Sequence, residues 1–116
     1  MALEVNKKEL ANHICVLEVA GRITAASTTE LKDQIKSLIL AGYIYLIFDL
    51  SKTTFIDSSG LSAFVSGLKQ VREKGGILNL TSLQPDVRSI FSLTMLDRVF
   101  EMYSTVSDAV QSVRNN

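Results

Sequence analysis

Tryptophan is missing from this 116-residue sequence, and cysteine, proline and histidine occur once each. A lone Cys15 forms no internal disulfide, so a disulfide-stapled secreted scaffold is not expected. Its neighbours Ile14, Val16 and Leu17 read it as a small buried residue in a reducing compartment. His13 and Cys15 together are too few for a usual zinc site, and a reactive thiol would want more cationic company than one histidine. There is no excess of either charge: 12 Lys+Arg stand against 12 Asp+Glu. Binding to a phosphate backbone usually gathers surplus Lys and Arg on one face, so nucleic acid is not expected as a direct partner. Long apolar runs are missing too. No stretch reaches the ~18 residues of a membrane span, and the start, MALEVNKKELANH, has neither an apolar core nor a cleavage site. The expectation is a cytoplasmic chain with no membrane insertion.

The sequence does have enough apolar material for a core, 47% hydrophobic against 21% charged, at a length suited to one domain spanning residues 1–116. Residues 13–20, His-Ile-Cys-Val-Leu-Glu-Val-Ala, read as a strand ending at Gly21. Residues 3–5 read as a weaker strand, with 6–12 as the hairpin connection. Ser27-Thr28-Thr29-Glu30 has capping-box spacing, and Leu31, Ile35, Leu38 and Ile39 follow at helical intervals. Tyr43 to Leu50 is a nearly continuous apolar run, as suits an interior strand covered on both faces. A second helix over about 59–74 carries Leu61, Phe64, Val65, Leu68 and Val71 and stops at Gly75-Gly76. Residues 77–80 form another strand, and Pro85 opens a third helix buried through Val87, Ile90, Phe91 and Leu93. A last strand within 99–103 and a helix starting at Thr105 complete the order β-β-α-β-α-β-α-β-α. Such alternation implies an α/β fold with a mixed, mainly parallel sheet and about four helices.

Enzyme signatures are scarce. Neither G-x-x-x-x-G-K-[ST] nor G-x-G-x-x-G occurs, so no glycine-rich phosphate cradle is presented and no cofactor is expected. No serine sits in a G-x-S-x-G elbow, and a Ser-His-Asp arrangement could recruit only His13. A hydrolase acting through Ser58 therefore lacks a visible base, and no enzymatic role is expected.

One segment stands apart: Phe55-Ile56-Asp57-Ser58-Ser59-Gly60-Leu61. It follows a polar stretch, 51–54, and opens the second helix. Asp57 or Ser58 can cap that helix, accepting from N–H groups that have no partner inside it. Gly60, without a Cβ, lets another backbone or a partner approach the first turn. A serine at this position is exposed to other proteins, and if it were phosphorylated the helix dipole and free amides would tolerate the new charge.

Asp57-Ser58-Ser59-Gly60-Leu61 resembles the phosphorylation-site signature of bacterial anti-sigma factor antagonists, members of the STAS domain family. The resemblance extends to the Gly21 turn, Phe48-Asp49-Leu50, Lys74-Gly75-Gly76, Pro85-Asp86-Val87, Phe91, Leu96, Val99 and Phe100. It implies a small protein that binds an anti-sigma factor, often itself a serine kinase, and so frees a sigma factor to act in transcription. It also implies that phosphorylation abolishes this binding and that a PP2C-like phosphatase restores it. Carried onto this chain, Ser58 is the phosphoacceptor and Asp57 the acidic residue beside it. Ser59, Gly60, Ser62 and Ser66 fall in the partner footprint. Many antagonists read Gly-Glu-x-Asp after the early strand; here Gly21-Arg22-Ile23-Thr24 puts Thr24 at the acidic position. That departure leaves room for a second role, a STAS adaptor subunit of a membrane lipid-transport or sensory complex.

Overall fold

Residues 45–49, the heart of the nearly continuous apolar run 43–50, lie in the middle of a sheet; Tyr43, Ile44 and Leu50 fall outside the strand. The computed structural model describes residues 3–115. Along the chain lie β1 (Glu4–Leu10), β2 (Ile14–Ile23), α1 (Thr28–Leu40), β3 (Tyr45–Asp49), β4 (Thr53–Ile56) and α2 (Ser58–Glu73). There follow β5 (Ile77–Thr81), α3 (Pro85–Leu93), a 3-10 turn (Leu96–Arg98), β6 (Glu101–Tyr103) and α4 (Val106–Arg114). The sheet order is β1-β2-β3-β5-β6, with β4 pairing separately to β2. Among the described residues β1 and β2 form the one antiparallel pair; the other pairs are parallel. The α/β class and the mixed, mainly parallel sheet are as expected.

Side-chain alternation divides the core in two. On one face Leu17, Leu46, Phe48, Leu78 and Leu80 meet apolar stripes of α1, α2 and α3. On the other, Ile14 and Ile47 meet Ala109, Val110 and Val113 of α4. Four phenylalanines link the larger core: Phe48–Phe64, Phe64–Phe91 and Phe91–Phe100 have centroids 5.0, 6.4 and 5.8 Å apart. Edge-on aromatic pairs add about 0.5–1.5 kcal/mol each beyond their burial. α2 is thereby fixed to β3 on one side and α3 on the other.

Several local expectations are corrected. β1 runs to Leu10, so the hairpin connection is residues 11–13, closed by Asn12 and His13 at positive φ. Its mostly exposed, charged character follows from its place at the sheet edge. Gly21 does not end β2. With φ +112° it sits at a register shift through which the strand bends from β3 to pair with β4, Ile23 opposite Ile56. Residues 53–56 are accordingly a strand, where a polar stretch and helix approach were expected. Thr53 is fully buried there because its hydroxyl donates to the Val19 carbonyl at 2.7 Å. Ser27 precedes α1 but makes no capping bond; its Oγ accepts from the Thr24 N–H and donates to the Arg22 carbonyl. Leu93 is 84% exposed, since α3 ends there and only Val87 and Phe91 are fully turned inward. No helix among the described residues is long and apolar enough to cross a membrane.

Candidate functional site

The chain leaves β4 at Ile56 and enters α2 at Ser58, with Asp57 in extended conformation between them. Its backbone N–H donates to the Ile23 carbonyl at 3.0 Å, holding the junction against the end of β2. Each carboxylate oxygen then takes a different amide. Oδ1 accepts from the Gly60 N–H at 3.1 Å, capping α2, and Oδ2 accepts from the Ala25 N–H at 3.1 Å. The β2–α1 loop and the start of α2 thus share one side chain.

That loop is braced within itself. Ser27 joins Thr24 to Arg22 as described, and the Thr24 Oγ1 accepts from the Ala26 N–H at 3.3 Å. Thr24 therefore lies next to the amide that Asp57 holds. Beside it the Arg22 guanidinium rests over the Phe55 ring, 4.3 Å from the centroid. A cation held this way is worth about 0.5–1 kcal/mol at an exposed site and stays near the junction.

Ser58 is exposed at the first helical position, and its Oγ enters none of the side-chain hydrogen bonds among the described residues. Ser59 is half-buried. Gly60 is buried, and a Cβ there would come within 2.6 Å of the Ile56 side chain and 2.7 Å of Ile23. The missing Cβ thus admits the body of the protein to the first turn. Gly60 seats the helix, and any part it plays in recognition passes through that seating.

Ser62 and Ser66 continue the exposed side of α2 one and two turns on, Ser66 accepting from Gln70 Nε2 at 3.2 Å. With Leu61, Val65, Lys69 and Leu96 they line a shallow depression of about 360 Å³. The structure therefore brings Thr24, Asp57, Ser58 and Ser59 together at one end, and strings Ser62 and Ser66 along the helix from it. Sequence reading missed Ala25, which acts through its amide, and Lys69, which the i+7 spacing from Ser62 could have found; it placed Val65 on the buried stripe, whereas Val65 is half-buried and lines this depression.

His13 and Cys15 lie elsewhere. His13 Nδ1 donates to the Gly42 carbonyl at 3.0 Å, and Cys15 is buried in the larger core. Burial, with the Glu9 carboxylate adding to it, pushes the Cys15 thiol up to about 11, which suppresses the reactive thiolate. Tyr43 donates to the Glu9 carboxylate at 2.7 Å, and that bond raises its hydroxyl above the ordinary range. No group of three or more metal-ligating side chains occurs among the described residues.

A family profile described as the STAS domain matches residues 5–109. The anti-sigma-B factor antagonist of Bacillus subtilis is 30% identical over 111 residues, 96% of this chain and 100% of that one. A Thermotoga maritima protein provisionally named an anti-sigma factor antagonist is 38% identical over 73 residues, 63% of this chain and 65% of its own length. The crystal structure of a T. maritima protein of the same provisional name superposes with a TM-score of 0.89 at 28% identity, covering 95% of this chain and 94% of that one.

Proposed function

This chain belongs to the STAS domain family, and from that premise we propose that it is an anti-sigma factor antagonist switched by phosphorylation of Ser58. The domain extends past the matched stretch to take in all of α4, whose Val110 and Val113 complete the smaller core. In its unmodified form the protein binds an anti-sigma factor through Ser58, Ser59, Ser62 and Ser66, and thereby frees a sigma factor. It acts in the cytoplasm as substrate and ligand, and catalyses nothing itself.

The observation that carries this reading is the division of labour at the α2 junction. Asp57 and Gly60 hold the turn from within, through the bonds to Gly60 and Ala25 and the contacts with Ile23 and Ile56. Ser58 projects from that frame with no internal task. A serine kinase can therefore modify it without disturbing the fold. A phosphoserine brings about −1.5 to −2 charges, which the helix N-terminus partly offsets in the free protein. At an interface fitted to a neutral hydroxyl the same dianion must shed water with no partner for its charge. Leaving a buried charge uncompensated costs about 3–5 kcal/mol, roughly a hundredfold or more in affinity. A PP2C-like phosphatase reverses the change.

Thr24 sits where many antagonists carry an acid, beside the Ala25 amide bound by Asp57. Its neutrality leaves Asp57 as the acidic residue flanking the acceptor and tunes the kinase and partner this chain fits. Mass spectrometry after incubation with the cognate kinase and ATP should place one phosphate on Ser58; phosphate on Ser59, or none, would count against the reading. Calorimetric titration with the cognate anti-sigma factor should show Ser58→Ala binding as wild type, Ser58→Asp weakly and the phosphoprotein most weakly. Equal affinities for all forms would remove the switch.

A further inference from the structure

At the far end of α2 lies a second concavity, independent of the Ser58 face. β6 pairs only with Asn79–Thr81, so Ile77 and Leu78 at the start of β5 have no strand beside them on that side. An open cleft of about 330 Å³ occupies the gap. That is near the lower end of small-molecule sites. Arg72 stands about 21 Å along the helix axis from Ser58, at 1.5 Å per residue, so the two sites do not overlap.

Asn79 lines this cleft at 1% exposure, and its Oδ1 has no hydrogen-bond partner among the described residues. Its neighbours do not serve it. Tyr103 Oη and Ser112 Oγ, also in the wall, bond to each other at 2.7 Å. A buried amide oxygen left without a donor costs about 1–3 kcal/mol; it is closed off from the cleft as it stands, so only an N–H group that displaces the wall gains from it. Two opposite charges line the same cleft, Arg72 from α2 and Glu101 from β6, both exposed and neither in an ion pair among the described residues. Leu68, Leu78 and Val99 supply the apolar wall.

We propose that this cleft binds a small zwitterion with an aliphatic body, an apolar α-amino acid. The carboxylate pairs with the Arg72 guanidinium, whose planar fork suits it. The ammonium donates to Glu101 and, by displacing the wall beside it, reaches the orphaned Asn79 oxygen, while the side chain lies against Leu68 and Val99. A simple anion leaves Asn79 and Glu101 unserved, and a simple amine leaves Arg72 unserved.

The test is a titration of the full chain with L-leucine, 4-methylpentanoate and 3-methylbutylamine, followed by two-dimensional amide NMR. Saturable shifts at Leu78, Glu101 and the Asn79 side-chain amide are expected with leucine, and binding of each one-charge analogue at least ~10-fold weaker. Arg72→Gln and Glu101→Gln, both surface changes that spare the fold, should each weaken leucine binding ~10-fold or more with an unchanged unfolding midpoint. Three outcomes overturn the proposal: no saturable shift up to ~10 mM leucine, equal binding of the one-charge analogues, or variants that bind as wild type. A crystal soaked in leucine that shows only a water on Asn79 overturns it as well.

Discussion

The two sides of α2 obey different rules. On the side toward the sheet Phe64 and Val71 are fully buried and Leu68 is 4% exposed, while on the other Ser58, Ser62 and Lys69 are open to solvent. The inner side is specified by volume, since Phe64 packs within the phenylalanine chain and Leu68 and Val71 are buried in the same core. The outer side is specified by what it withholds: small hydroxyls that neither add to the fold nor block an approaching surface. One helix thus separates stability from recognition by about half a turn.

Four substitutions probe that separation. Phe64→Ala removes a ring packed against both Phe48 and Phe91, and should lower the unfolding free energy by about 3–5 kcal/mol in urea titration. Gly60→Ala forces a methyl against Ile23 and Ile56. It should cost about 1–3 kcal/mol by the same measurement and weaken partner binding as the first turn shifts. Asp57→Ala deprives both the Gly60 and Ala25 amides. A loss of about 1–2 kcal/mol is expected, with faster hydrogen exchange at Ala25 as the local signature. Ser58→Asp should move stability by less than about 0.5 kcal/mol while cutting anti-sigma factor affinity, because it touches only the outer side. A large stability loss from that last change would erase the distinction between the sides.

Where periodicity was strong the sequence was legible. The nearly continuous apolar run 43–50 supplied β3 from its residues 45–49, the stripe through Leu61, Phe64, Leu68 and Val71 became the inner side of α2, and Thr105 caps α4 by accepting from the Asp108 N–H. What stayed hidden depends on contacts between distant residues. β4 is four residues with two threonines, and it is a strand because the bent end of β2 offers it a partner. The capping-box spacing at Ser27 was present, yet the hydroxyl found better partners behind it in Thr24 and Arg22. At the site, Asp57 as cap and Ser58 as exposed neighbour follow from local rules. The tie to Ala25 joins positions 32 apart in sequence and has no local signal. Gly60 was legible as a close approach, but which group approaches only the packing of Ile23 and Ile56 could reveal.

The doubly engaged carboxylate of Asp57 also narrows the alphabet at its position. Ser, Thr, Asn and Asp all serve as ordinary helix caps. Here two amides from separate elements must each meet an acceptor on one short side chain. Serine and threonine carry a single hydroxyl oxygen, and asparagine would turn an N–H₂ group toward one of the two donors. Only aspartate offers two acceptor oxygens at this reach; glutamate places them one methylene further out. A choice of four residues at a common cap becomes a choice of one, and drift at position 57 is confined accordingly.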